Sequence, residues 1–179
     1  VRRIDVDPSR GVAVTASDDR SARVWDLARG ELRHVLRPLA FGAEGGRLYG
    51  VAIHPQQPWV AVGGSTGGES RAHVIYLYDL ATGALLRTID ARGGHVRKLA
   101  WSVDGSVLLA TFAGERAGEH AVRAFAPDGR VLLEQTMAAP VFGLAVSAQG
   151  LAAAAALDGS VRILRAGGGA AAALHAHAM

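Results

Sequence analysis

The first 36 residues alternate between apolar and polar positions in short runs that turn residues separate. Val12, Val14 and Ala16 alternate with Ala13 and Thr15, and a period of two is typical of a strand. The same pattern predicts four strands, near Arg2–Val6, Val12–Ala16, Ala22–Asp26 and Leu32–Leu36. Because the second strand is apolar on both faces, we expect it to be packed between two neighbouring sheets.

This pattern recurs three more times along the chain. Similar stretches begin at Val1, Leu48, Val96 and Val141, at offsets of 47, 48 and 45 residues. Two apolar positions of the first strand coincide in all copies: Ile4, Val51, Leu99 and Leu144, then Val6, Ile53, Trp101 and Val146. An aromatic residue late in the third strand recurs as Trp25, Tyr78 and Phe125, with Leu164 in the fourth copy. Repeats of this length are typical of propeller blades.

The later copies predict further strands in the same order. In the second copy they lie near Leu48–Ile53, Trp59–Gly63, His73–Asp79 and Leu85–Ile89. In the third they lie near Val96–Trp101, Val107–Phe112, Ala121–Phe125 and Val131–Gln135, and in the fourth near Phe142–Val146, Leu151–Ala156 and Val161–Leu164. The fourth copy then runs into an Ala- and Gly-rich tail at 167–179, where an outer strand is doubtful and a frayed end is expected.

The turn before the third strand carries the most specific motif. Ser17 and Asp19 precede Trp25, with Asp19 six residues before the tryptophan, and Asp26-Leu27 follows. This spacing resembles the WD-repeat family of β-propellers. The resemblance implies a buried hydrogen-bonded set of a turn Asp, a Ser or Thr before it and the third-strand Trp, completed by a His from the preceding loop. On that basis the structural set in this chain would comprise Ser17, Asp19, Trp25, His95, Glu119 and Asp158.

The expected fold class is therefore all-β, a WD-repeat-type β-propeller with about four blades of four antiparallel strands. The predicted domain spans 1–166, with blades at about 1–40, 41–92, 93–138 and 139–166, followed by the tail at 167–179. Since the resemblance implies rings of seven or eight blades, we expect an open partial propeller from a larger ring. Its two open edges would expose apolar faces, and these imply a partner, a missing remainder of the chain, or self-association by dimerisation or aggregation.

Two neighbouring blades have extended connections between their second and third strands, at Gly64–Arg71 and Ala113–Gly118. Loops held by rigid strands often carry function, so this rim is the predicted partner-binding surface. The candidate residues are Gly64, Ser65, Thr66, Glu69, Arg71, Glu115 and Arg116.

The amino-acid composition excludes several kinds of functional site. The chain has no cysteine, which excludes disulfides, thiolate nucleophiles and cysteine-ligated zinc. This usage is compatible with a cytoplasmic location, which we expect. There is no apolar run long enough for a transmembrane helix. The formal charge is +3 and the basic residues are scattered through all blades, a pattern that does not favour nucleic-acid or membrane binding.

No catalytic constellation or cofactor motif stands out. Gly63–Gly68 lacks the Lys and Ser/Thr of a phosphate loop, and His175 and His177 have no evident third ligand. His54 precedes a proline in a turn and is expected to be exposed. We therefore predict no enzyme activity, no cofactor and no metal.

The leading hypothesis is a non-catalytic protein-interaction scaffold, with partners of unknown identity. The repeats also look like those of bacterial multidomain proteins, in some of which propellers accompany caspase-like peptidase or signalling domains, so the segment would serve recognition or sensing in a larger bacterial protein. Two alternatives stay open: a propeller enzyme with metal or substrate in the central channel, and a truncated structural fragment without independent function. For the enzyme, the inward positions Asp5, Ala52, Ala100 and Ala145 are a poor ligand set.

Overall fold

The computed structural model describes residues 1–39, 45–67, 73–116, 118–165 and 170–175, and these form four antiparallel sheets of four strands each. The first sheet contains β1 (Arg3–Asp7), β2 (Val12–Ala16), β3 (Ala22–Asp26) and β4 (Glu31–Leu36). The second contains β5 (Arg47–Ile53), β6 (Trp59–Ser65), β7 (Val74–Asp79) and β8 (Leu85–Asp90). The third contains β9 (His95–Trp101), β10 (Leu108–Ala113), β11 (Ala121–Phe125) and β12 (Val131–Thr136), and the fourth contains β13 (Val141–Val146), β14 (Leu151–Ala156), β15 (Ser160–Arg165) and β16 (Ala170–His175).

Within every sheet, strands adjacent in sequence are hydrogen-bonded neighbours. Short turns close the hairpins: at Gly30, where φ is 69°, the amide donates to the carbonyl of Asp26. Such a positive φ costs glycine little, which explains the residue at this turn. The four sheets confirm the all-β prediction and a partial propeller of four blades. No helix long and apolar enough to span a membrane occurs in the described ranges.

Three apolar clusters lie between successive sheets. The first joins Val12, Val14 and Val24 of the first sheet to Val51 and Ile53 of the second. The second and third clusters repeat this arrangement between the second and third sheets and between the third and fourth. Fully burying one such aliphatic side chain contributes about 1.5–3 kcal/mol, so these interfaces hold the blades together.

Polar contacts between inner strands fix the blades relative to one another. The Asp5 carboxylate of β1 accepts a hydrogen bond from the Ile53 amide of β5 at 2.7 Å. One blade further, the Trp101 indole donates to the Ala52 carbonyl at 3.2 Å. Both bonds connect residues almost fifty positions apart, so each sets the register between repeats and not within one.

His54 is buried, only 4% exposed, and the expectation that it is exposed is wrong. Its Nδ1 accepts hydrogen bonds from the amides of Gln56 and Gln57, so Nε2 carries the proton and donates to the Gly105 carbonyl at 3.1 Å. The ring also packs on Trp101, with 4.6 Å between ring centroids. His54 therefore shapes its own turn and ties the second blade to the third.

The fourth blade has an outer strand. Residues 170–175 form β16 and pair with β15 in antiparallel register, from Ser160 with His175 to Leu164 with Ala170. The prediction of a frayed tail at 167–179 is therefore wrong for residues 170–175, which form a strand. Residues 166–169 and 176–179 lie outside the described residues. The physical reason is that β15 leaves an edge of unpaired backbone groups, which an alanine-rich segment can pair with despite its low strand propensity.

The outer faces of the first and fourth blades are uncovered. Ile4 is 56% exposed, whereas Val51 and Leu99, its equivalents in the next blades, are 2% and 5% exposed. Likewise Leu151 of the fourth blade is exposed, whereas its equivalent Val12 is buried in the first cluster. Among the described residues, no buried cluster joins the fourth sheet to the first, so the arc is open.

We predict a pH-dependent stability that depends on His54. Burial lowers the pKa of its imidazole below the ordinary 6.5. The unfolded chain therefore takes up a proton on this ring at a pH where the folded chain does not, and stability falls as the pH drops below about 6.5. In His54→Gln, whose amide can still donate and accept, this part of the loss should disappear. Denaturant midpoints at about pH 7.5 and about pH 5.5 measure it.

All other histidines are common to both proteins, so the difference between the two pH slopes belongs to His54. Equal slopes for the wild-type protein and His54→Gln would contradict this role.

Candidate functional site

The connections between second and third strands are held by side-chain caps in every blade. In the first blade Asp19 Oδ1 accepts hydrogen bonds from the amide and the hydroxyl of Ser21, at 3.0 and 2.6 Å. In the fourth, Asp158 Oδ1 does the same for Ser160, at 3.0 and 2.7 Å. The Ser21 hydroxyl is the first cause of the lowered pKa of Asp19, because it bonds the ionised form. Both aspartates therefore shape turns.

The tryptophan does not join this set. The Trp25 indole donates to Thr15 Oγ1 on the neighbouring strand at 3.0 Å. Ser17 is close to Asp19, since its hydroxyl accepts the Asp19 amide at 3.3 Å. The serine or threonine that bonds Trp25 is therefore Thr15 and not the predicted Ser17. In the register of β2 with β3, Ala13 lies opposite Trp25, and Thr15 lies two positions along β2 on the same face.

Two histidines that the sequence analysis missed take over the capping role in the middle blades. His73 Nδ1 accepts hydrogen bonds from the amides of Thr66 and Gly67, at 3.0 and 2.8 Å. His120 Nδ1 accepts the amide of Gly114 at 3.3 Å. Each directly precedes the third strand of its blade, and this shared position is the signal that could have found them. His95, predicted for the set, instead packs its ring on His73, with 4.6 Å between centroids.

Glu119 caps the third-blade loop from inside. Its Oε2 accepts hydrogen bonds from the amides of Glu115 and Arg116, at 2.9 and 3.2 Å. A side chain on Gly114 would collide with the same carboxylate, which explains the glycine. The loop is therefore held from below while its apex faces solvent.

The predicted partner-binding residues differ in secondary structure and in exposure. Gly64 and Ser65 belong to strand β6, and Thr66 is 1% exposed, with its hydroxyl bonded to the backbone of Val74. These three residues therefore cannot form an accessible loop. Glu69 and Arg71 lie outside the described residues. Glu115 and Arg116 are exposed, as a contact surface requires.

Repeated β-bulges aim three further side chains at one place. The registers of β5, β9 and β13 each skip one residue near the start of the strand: Tyr49, Arg97 and Phe142. Bulges re-aim side chains, and here they bring the Arg97 guanidinium 5.0 Å from the Tyr49 ring centroid and 5.5 Å from that of Phe142. This cluster was not predicted from the sequence, although the three residues occupy the same position of successive repeats.

Two more cations lie one residue further along the inner strands. Arg3 of β1 and Lys98 of β9 occupy equivalent positions, which Gly50 and Gly143 fill in the other blades. Burial, and then the charge of Arg3, lower the pKa of Lys98. The inner strands of all four blades line a cavity of about 400 Å³, and Arg3 is one of the lining residues.

The cavity is poorly equipped for metal chemistry. Its one inward carboxylate in that row, Asp5, already accepts two backbone amides, from Val6 and Ile53. The described ranges contain no group of three His, Cys, Asp or Glu side chains that could hold a metal ion. A separate feature of the inner strands is the arginine of the Tyr49–Arg97–Phe142 cluster, which is adjacent to Lys98 in β9.

The four sheets, their three interblade clusters and their inner cavity define a partial β-propeller. Residues 1–26, which end with β3, match the family described as WD domain, G-beta repeat. This match and the four-sheet architecture both support similarity to the WD-repeat family. WD-repeat domains are generally non-catalytic scaffolds that mediate protein–protein interactions. No curated protein compared with the chain shows significant sequence similarity to it.

We predict that the third-blade loop depends on the Glu119 carboxylate. Glu119→Ala leaves two loop amides without their acceptor, at a cost of about 1 kcal/mol in local stability. Trypsin should then cleave after Arg116 about fivefold faster, because local opening becomes more frequent. Glu119→Gln keeps a side-chain oxygen acceptor and is the matched control. Equal cleavage rates for Glu119→Ala and the wild-type protein would contradict the capping role.

Proposed function

We propose that the chain is a non-catalytic protein-interaction scaffold, the recognition segment of a larger protein, and that the third-blade loop contacts the partner. One observation carries the proposal: Glu115 and Arg116 are exposed, and the amides of both are bonded to the Glu119 carboxylate. A preformed loop loses little conformational entropy on binding, so its contacts contribute more fully to affinity. The WD-repeat architecture supports the same function class. A cytoplasmic location stays a prediction.

A displayed library of random peptides, selected against the immobilised chain, tests this function. The double variant Glu115→Ala/Arg116→Ala should lose about tenfold in affinity for the selected peptides, because loop contacts that account for roughly 1.4 kcal/mol are removed. Affinity can be measured by fluorescence anisotropy.

The chain offers a matched control for that experiment. Arg29→Ala/Glu31→Ala makes the same two changes, with the same charge, at the β3–β4 turn on the opposite rim, where both residues are exposed. It should leave affinity unchanged. A library that yields no specific peptide, or equal losses for both double variants, would count against the proposal.

We also propose that two copies associate through their uncovered blade faces. The observation that favours association is that Ile4 and Val6 of the first blade are exposed. Their equivalents in the second blade, Val51 and Ile53, pack against the preceding sheet. In the fourth blade, Leu151 and Ala155 occupy the positions that Val12 and Ala16 have in the first blade, where they pack against the next sheet. The fourth blade of one copy can therefore pack on the first blade of another.

We expect the wild-type chain to sediment as a dimer or larger species, and Ile4→Thr/Val6→Thr to shift it toward monomer. Threonine keeps the strand propensity while removing apolar surface. Leu32→Thr/Val35→Thr is the control, because these residues of β4 are similarly exposed, at 46% and 43%, but lie on the outer strand. A wild-type monomer that is stable to heating would refute the association.

A further inference from the structure

The inner strands carry a charge distribution that the scaffold itself does not need. Arg97 and Lys98 are adjacent on β9 and Arg3 lies on β1, and none of them has an ion-pair partner among the described residues. The Nε atom of Arg97 is buried without a hydrogen-bond partner. A structural role would favour pairing these charges, since unpaired buried donors cost stability.

The aromatic rings hold the arginine in place. Tyr49 and Phe142 flank the guanidinium at cation–π distances, and the three side chains occupy equivalent bulged positions in three successive blades. A guanidinium stacked in this way keeps its planar edge for hydrogen bonds, and that edge matches the two oxygens of a carboxylate. Phe142 is 44% exposed, so the cluster is reachable from solvent.

We propose that Arg97, stacked between Tyr49 and Phe142 and assisted by Lys98 and Arg3, binds an acidic segment of the protein partner through an Asp or Glu carboxylate. The inference deepens the proposed function and rests on it, since it names the chemistry of the segment that the scaffold recognises. Clustered positive charge attracts anions more strongly than the same charge spread over a surface. The bulges supply the preorganised geometry.

Protein is favoured over nucleic acid as the partner. Sequence-independent binding of a single strand uses a basic groove with several aromatic platforms for successive bases. Here both rings are already engaged with one guanidinium, so neither face toward Arg97 is open for a base. The surface therefore fits one anionic group and not a continuous backbone.

Fluorescence anisotropy with three labelled peptides tests the inference. The probes are a Gly-Ser peptide with a central pair of Glu residues, the same peptide with Gln, and the same with phosphoserine. We expect the Glu peptide to bind about tenfold more tightly than the Gln peptide, as one charge-assisted hydrogen-bonded contact provides. Tighter binding of the phosphoserine peptide than of the Glu peptide would overturn the carboxylate assignment.

Variants test whether binding of the Glu peptide depends on this site or only on the overall positive charge. Arg97→Gln should reduce affinity for the Glu peptide about tenfold, and Arg97→Lys should restore only part of it, because lysine lacks the planar fork. Phe142→Leu should also weaken binding, without a change in charge. Arg29→Gln, an equal charge change at an exposed turn, is the control. Circular dichroism and the thermal midpoint establish that each variant is folded.

The outcomes distinguish this inference from the proposed function. If library selection yields peptides that depend on Glu115 and Arg116 but are not enriched in Asp or Glu, the scaffold function stands and the acidic-segment inference fails. If Arg97→Gln and Arg29→Gln weaken binding equally, only diffuse charge is involved and the inference also fails. Binding of single-stranded RNA in place of the Glu peptide would overturn both the inference and the protein partner.

Discussion

Apolar packing between successive blades is the constraint on which the whole structure depends. Strands pair only within each sheet, so side-chain packing and a few polar ties, among them the Leu48 amide bonded to the Ser17 carbonyl, hold one sheet to the next. Stability in such repeat structures is shared between neighbours. Hydrogen bonds between blades, such as Asp5 with the Ile53 amide and His54 with the Gly105 carbonyl, fix the relative orientation of the sheets. Dispersion alone would not fix this orientation.

The same constraint explains where recognition can take place. Because the faces between blades are used for packing, the side chains proposed to contact a partner lie in a connection or at bulged positions of the inner strands. The third-blade loop provides the first kind and the bulged residues provide the second. The Glu119 carboxylate bonds two backbone amides of the loop, and skipped register positions orient Tyr49, Arg97 and Phe142.

Much of the architecture was predictable from repetition. Four aligned copies, with Ile4, Val51, Leu99 and Leu144 at one position, predict four equivalent blades, and alternation places their strands closely. The candidate site was harder to predict. Gly64 and Ser65 look like loop residues by composition, yet they extend β6, since a backbone that finds a ladder partner continues as strand whatever its glycine content. Trp25 has the expected spacing and bonds to Thr15.

Sequence alone determined the features that follow from local periodicity: strand order, turn positions, blade number and the absence of cysteine chemistry. Tertiary structure decided everything that depends on which distant atoms meet. It buried His54, completed the fourth blade with β16 and stacked Arg97 between rings from two other blades. The reason is physical: a repeat specifies each strand from residues close in sequence, whereas the His54–Gly105 hydrogen bond and the Arg97 ring contacts join residues 45 to 51 positions apart.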